Sequence, residues 1–288
     1  TFARPMTDDE IKRSWALNGQ DARNRGTEAH LQMQLAVEGE PFRADDAEVQ
    51  NGLVFFEQMS DAWRPFRAEW EIAFPEADLA GSIDLVLARG GETGVGDGGD
   101  ALELVIVDYK RTKGLADKMR GSRRQKAPLS HLDDCDGATY ALQLSGYQYI
   151  LERVYGFRVV DRVLMSIHPD SPCCTSVPYL HEEIHYLMEE RIAIAEARNT
   201  SPHRCPCSGV PLHDPVVVQE RSGGAVDRKL ALLKNWTVLR PDDDTRRAVE
   251  AHVETARRPV PVPRFATTWK ARLATHTSRP VVMECDVA

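Results

Sequence analysis

The sequence predicts an α/β protein with a mixed central sheet flanked by helices and an irregular C-terminal extension. The 288 residues are 42% hydrophobic, which is enough to bury one substantial core. Two apolar, strand-like runs follow each other at residues 81–88 and 102–110, and helix-period patterns lie before and after them. We expect residues 1–198 to form the core and residues 199–288 to form an extension or clasp with short helices.

The first part of the chain is predicted to contain two helices and a strand. Helical spacing covers residues 8–38, with an expected interruption at Asn18 and Gly19, and a second helix is predicted around residues 46–59. Alternating apolar residues then predict a half-buried strand at residues 66–74. The polar face of this strand carries Arg67, Glu69 and Glu71.

The two apolar runs are joined by the Gly-rich segment GGETGVGDGGD, which predicts a hairpin of adjacent antiparallel strands. A helix, a strand and another helix should follow, at residues 139–155, 159–168 and 182–197. Beyond Arg198 the pattern weakens. There we expect helices at residues 227–233 and 244–257, and an extended run at RRPVPVPRF.

Composition bounds the class of protein. No apolar run of about 18 residues exists and the start lacks a secretory signal, so we expect an intracellular protein, nuclear or cytoplasmic, without a membrane partner. We also expect that this sequence could be one part of a longer chain with other domains. Six cysteines are too few for a disulfide framework. The net charge of −8 argues against a protein that coats nucleic acid, but the segment from Lys110 to Lys126 holds eight basic residues and one acid, Asp117.

One group of polar residues can carry hydrolytic chemistry. Asp108 and Lys110 alternate on the second apolar run, so their side chains share a face and Tyr109 points away. The hairpin should bring Asp84 close enough to Asp108 for both to bind one metal ion. Oxygen ligands of this kind select Mg²⁺ or Mn²⁺, which can polarise a phosphate and acidify a water.

Four short motifs, in order, resemble the PD-(D/E)xK nucleases, and within them the branch that contains RecB, lambda exonuclease and the CRISPR-associated nucleases. They are Gly-Thr-Glu-Ala-His ending at His30, Gly-Ser-Ile-Asp ending at Asp84, Asp-Tyr-Lys ending at Lys110, and Gln-Leu-Ser-Gly-Tyr ending at Tyr147. They span about half of the chain. The resemblance implies a restriction-endonuclease-like core for this α/β fold.

The resemblance also implies roles for individual residues. Asp84 and Asp108 would bind Mg²⁺ or Mn²⁺ together with the backbone carbonyl of Tyr109 and the imidazole of His30. Lys110 would orient the attacking water and stabilise charge on phosphorus. Two residues four apart on one helix face, Gln143 and Tyr147, would steady Lys110 or contact the DNA backbone, and Glu71 is a further candidate ligand. The expected nucleic-acid contacts are Arg111, Lys113, Arg120, Arg123 and Arg124.

The function implied is metal-dependent hydrolysis of DNA, with an exonuclease acting on ends or single strands favoured, in replication, recombination or repair. The spacing after Lys110 is also similar to nucleases of large DNA viruses and mobile elements. A structure-specific endonuclease and a catalytically idle DNA-binding module remain open alternatives. Taken singly, each motif also has a structural interpretation: Asp84 in a turn, Asp108 and Lys110 at a solvated strand end, or His30 as a hydrogen-bonded core histidine.

Other possible metal groups are weaker. His203, Cys205, Cys207 and His213 do not have the usual Cys-x₂-Cys spacing, so a structural zinc is not expected. No cysteine precedes Cys135, so the four-cysteine pattern for an iron–sulfur cluster is absent as well. His181 and His185 are four residues apart, but such pairs more often face solvent.

Overall fold

The computed structural model describes residues 6–90, 102–200, 236–238, 243–257 and 285–286. Its helices are α1 (Asp8–Glu38), α2 (Ala47–Met59), α3 (Leu115–Lys118), α4 (Asp136–Arg153), α5 (His181–Thr200) and α6 (Asp243–Arg257). Its strands are β1 (Arg64–Phe74), β2 (Leu79–Arg89), β3 (Glu103–Lys110), β4 (Arg158–Ser166), β5 (Cys173–Ser176), β6 (Trp236–Val238) and β7 (Cys285–Asp286). A single 3₁₀ turn lies at Pro75–Ala77.

The strands form one mixed sheet in the order β1, β2, β3, β4, β5, β7, and β6 pairs with β2. Strand β3 runs antiparallel to β2 and parallel to β4, with α4 in the connection between β3 and β4. The predicted α/β class with a mixed sheet is therefore confirmed, as is the antiparallel pairing of the two apolar runs. Residues 91–101 of their Gly-rich connection lie outside the described residues.

Helices cover both faces of the sheet because successive residues of each strand point to opposite sides. On one side, Met33 of α1 and Phe55 of α2 pack in the same buried cluster as Val107 of β3. On the other side, Leu144 of α4 packs in a second buried cluster with Ile106. The end of β3 therefore lies between two apolar layers, which shield the polar groups at that end from water.

Helix α1 continues through Asn18 and Gly19, so the predicted interruption is wrong. A glycine costs a helix interior only about 1 kcal/mol, and both ends of α1 are capped. Thr7 and Glu10 form a capping box, and Gly39 ends the helix with φ 82°. The C-terminal third of this helix, from Ala29 onward, packs on the core and carries His30.

Three described segments after residue 200 contact the preceding part of the chain. Strand β6 pairs with β2, β7 pairs with β5, and His252 of α6 lies 2.9 Å from the backbone oxygen of Glu71. The helix predicted at residues 244–257 is confirmed as α6. The one predicted at residues 227–233 and the proline-rich run lie outside the described residues. Among the described helices, none combines the length and apolar character needed to cross a membrane.

Candidate functional site

The predicted site residues meet around the C-terminal end of β3, where the backbone of Tyr109 connects two of them. Its N–H donates to Oδ2 of Asp84 at 2.8 Å, and its carbonyl oxygen lies 3.2 Å from Nε2 of His30. Asp84 comes from the adjacent strand β2, and His30 comes from α1 above the sheet. The structure thus brings together His30, Asp84 and the Tyr109 carbonyl, the groups that the resemblance places in one site.

A second acidic residue, Glu69, completes this cluster. Nδ1 of His30 lies 3.6 Å from Oδ1 of Asp84 and 3.8 Å from Oε1 of Glu69. One ligand atom from each of the three residues lies within 4.8 Å of the others. Ligands about 2.1 Å from an octahedral ion are about 3.0 Å apart when adjacent and about 4.2 Å apart when opposite. The three side chains could therefore hold a divalent cation after small adjustments.

The structure does not bring Glu71, the predicted acidic candidate of β1, to this cluster. Glu71 is exposed and pairs with Ser82, whereas Ala68 pairs with Leu85 and Trp70 with Ile83. Glu69 therefore falls opposite Asp84.

Glu69 has φ 44°, a left-handed conformation that costs a non-glycine residue about 1–3 kcal/mol and is concentrated at functional sites. The regular alternation of β1 fails here, since Ala68 packs toward one sheet face and Trp70 toward the other. Extrapolating a strict period of two could not place Glu69 correctly.

The side chains of Asp108 and Lys110 contact residues of α4. Nζ of Lys110 is 2.5 Å from Oδ2 of Asp108 and 4.8 Å from the centre of the Tyr140 ring. Gln143 donates from Nε2 to Oδ1 of Asp108 at 3.3 Å and to the hydroxyl of Tyr147 at 3.1 Å. Asp108 is therefore held by a cation and an amide, and it is not a member of the cluster of His30, Glu69 and Asp84.

Gln143 thus contacts Asp108, which is the ion-pair partner of Lys110, and Tyr147 accepts a hydrogen bond from Gln143. Tyr147 is only 1% exposed, which places its side chain out of reach of a DNA backbone. Tyr140, the residue that does contact Lys110, was not identified from the sequence. It lies three residues before Gln143 and so on the same helix face, which was the available signal.

The buried charges of the cluster shift the pKa values of its members. Burial alone would lower the pKa of His30, but the carboxylates of Asp84, Glu69 and Asp108 raise it to about 9. Burial raises the pKa of Asp84 to about 7, although the charges of His30 and Lys110 oppose this shift. Burial would also lower the pKa of Lys110, but Asp108 and Asp84 outweigh it and the net pKa is raised. The raised pKa of His30 thus reflects the negative charge of the three carboxylates around it.

The basic segment contains two kinds of predicted nucleic-acid contact. Arg111, Lys113 and Arg124 are already engaged in ion pairs with Glu48, Asp170 and Asp133, at 2.8, 3.1 and 2.8 Å. Arg120 and Arg123 are exposed, and their side chains form no ion pair with the described part of the chain. Exposed unpaired guanidinium groups are the better suited to phosphate contacts.

The remaining candidate metal groups contribute little. His203, Cys205, Cys207 and His213 lie outside the described residues. His181 and His185 are stacked on the surface of α5, with ring centres 5.9 Å apart, and Nδ1 of His185 is 3.1 Å from the hydroxyl of Tyr149. Comparisons of the chain with protein families, with curated proteins and with solved structures found no match.

Proposed function

We propose that the protein is a metal-dependent nuclease that hydrolyses DNA phosphodiester bonds with water, and that it acts as an exonuclease on ends or single strands. The observation that supports this most is the convergence of two polar groups on the end of β3. One is the cluster of His30, Glu69 and Asp84, and the other is the pair of Asp108 and Lys110.

The donor set of the cluster fits a divalent ion such as Mn²⁺ or Mg²⁺. It offers two carboxylates and an imidazole, and the Tyr109 carbonyl lies 3.2 Å from that imidazole. Carboxylate and carbonyl oxygens suit both ions, and the imidazole nitrogen favours Mn²⁺ somewhat. When bound, such an ion would polarise a phosphate and lower the pKa of a water.

The other half of the site supplies a positive charge that the protein itself positions. Lys110 is buried between Asp108 and the Tyr140 ring, so its ammonium group has little freedom to move. A fixed ammonium group near a phosphate can orient water and stabilise the negative charge that develops on the phosphoryl oxygens. Gln143 holds the partner carboxylate and so acts as a positioning residue.

The choice of DNA and of ends depends on the sequence motifs that resemble the end-processing branch of the PD-(D/E)xK nucleases. A structure-specific endonuclease would use the same site residues but would have a different surrounding surface for contact with DNA. An idle binding module would have no need of Lys110 held in a buried ion pair, which costs desolvation energy. We therefore favour an active enzyme.

The test is cleavage of end-labelled linear and sealed circular DNA, single- and double-stranded, with Mg²⁺, Mn²⁺ or chelator. Lys110→Met keeps the length of the side chain and removes its charge, and the exposed Lys126→Met is the matched control. We expect linear DNA to be degraded by wild type and by the control, and not by Lys110→Met or in chelator. Cleavage of circles would favour an endonuclease, and no metal-dependent cleavage of DNA or RNA would exclude the proposed activity.

A further inference from the structure

A pocket of about 370 Å³ opens beside the pair of Asp108 and Lys110. It lies between the chain that follows β3 and the first turns of α4, and both Lys110 and Gln143 line it. Its volume is near the lower end of the range for small-molecule pockets, about 300–1,000 Å³. A space of this size suits one nucleotide and excludes a base-paired duplex.

The pocket presents cations that could bind a phosphate. Nε of Arg111 donates to Glu48 at 2.8 Å, which leaves the outer guanidinium groups of Arg111 for a second acceptor. Nζ of Lys118 lies 3.3 Å from Oδ2 of Asp136, and the two side chains are 40% and 55% exposed. Exposed ion pairs contribute only about 0–1 kcal/mol, so Lys118 can exchange Asp136 for a phosphate at little cost.

The other walls suit a base and a sugar. Tyr140 lines the pocket and supplies an aromatic side chain next to the cations, the combination that single-stranded nucleic acids use for stacking and charge neutralisation. Asp136 and Gln143 add acceptors for the amino groups of bases.

We propose that this pocket binds one unpaired nucleotide of the substrate strand, next to the phosphodiester bond that is cleaved. The inference rests on the proposed nuclease function and makes it more specific, since the substrate must then have an unpaired nucleotide at the site. Lys118 becomes a specificity-determining residue that contacts a substrate phosphate and leaves the metal cluster untouched.

The experiment measures binding of deoxyadenosine 5′-monophosphate to metal-free protein by calorimetry in EDTA, so that it does not depend on turnover. Deoxyadenosine and inorganic phosphate are competitors. Lys118→Gln should weaken binding about tenfold, the loss expected for one charge-assisted hydrogen bond. Lys118→Arg should restore it, and Lys126→Gln, from the same basic segment, should bind like wild type.

Two results with the wild-type protein would overturn the inference: no binding of the nucleotide, or equal competition by inorganic phosphate, which would indicate a simple anion site. Equal binding by Lys118→Gln and wild type would place the nucleotide elsewhere and would overturn it as well. Nucleotide binding that depends on Lys118, in a protein without nuclease activity, would support the pocket and refute the proposed function. Cleavage of DNA by a protein that does not bind the nucleotide would support the proposed function and refute the pocket.

Discussion

The Glu69→Gln substitution should show which of the two acidic residues of β1 belongs to the cluster, because Glu71→Gln is a matched control on the same strand. Gln keeps the size of Glu and meets the same cost at φ 44°, so the substitution removes mainly the charge. In metal-free protein, the loss of that charge should lower the pKa of His30 from its value of about 9, since the Glu69 carboxylate is one of the groups that raise it.

The size of this effect follows from the distance between the two side chains. Oε1 of Glu69 is 3.8 Å from Nδ1 of His30. At that distance Coulomb's law gives about 1 kcal/mol at the dielectric constant of water and about 4 kcal/mol at an effective value of 20. The His30 pKa should therefore fall by about 1–3 units. Because both side chains are roughly one-third exposed, we expect a value near the lower end.

The assay is NMR titration of the imidazole Cε1–H signals in EDTA, with His30→Asn to assign the resonance. Glu71→Gln should leave the His30 pKa unchanged, because Glu71 is exposed and pairs with Ser82 outside the cluster. Mn²⁺ affinity should fall in Glu69→Gln alone. Equal shifts in the two variants, or a shift only in Glu71→Gln, would refute the assignment of Glu69 to the site.

Three further outcomes are expected. Gln143→Met should lower the cleavage rate about tenfold, because it removes the hydrogen bond that holds the Asp108 carboxylate. The control is Gln148→Met, also buried on α4, which should lower stability without a specific loss of cleavage rate. Binding of Mn²⁺ at about pH 7–8 should release about one proton from His30, whose pKa is about 9, and about half a proton at about pH 9. Affinity should rise up to about tenfold per pH unit below the pKa, measured by calorimetry in buffers of different ionisation enthalpy. A pH-independent affinity would contradict this. Tyr109→Phe removes a buried hydroxyl that has no hydrogen-bond partner in the described part of the chain. The free energy of unfolding should therefore stay the same or rise by up to about 1 kcal/mol, measured by thermal unfolding. A clear fall in the thermal midpoint would show that the hydroxyl is hydrogen-bonded.

Hydrophobic periodicity was sufficient to predict most elements of the core, because burial on a defined face is what selects them. The strand predicted at residues 159–168 is β4, Arg158–Ser166, and the helix predicted at residues 182–197 is α5. The wrong interruption of α1 shows the limit of local signals. One glycine penalty is small beside a helix of 31 residues with caps at both ends.

The site was predictable where it depends on alternation and pairing, and not where the backbone departs from them. Asp108 and Lys110 share a face because strand residues alternate, and the hairpin carries Asp84 to β3. Glu69 could not be chosen over Glu71 in the same way. Glutamate has no special preference for a left-handed conformation, so nothing local marks the position where β1 changes its alternation.

The backbone of β3 explains why the two halves of the site should respond separately to substitution. Tyr109 contacts Asp84 and His30 through its peptide groups, whereas Asp108 and Lys110 face α4 through their side chains. A change at Glu69 alters the electrostatic field at His30 but leaves the hydrogen bond from Gln143 to Asp108 intact. A change at Gln143 removes that hydrogen bond but leaves the charge of Glu69 near His30 in place. Metal affinity should therefore respond more strongly to changes in the first half of the site, and the rate of cleavage at saturating metal to changes in the second. The charges still couple the two halves, since Asp108 acts on His30 and Lys110 acts on Asp84.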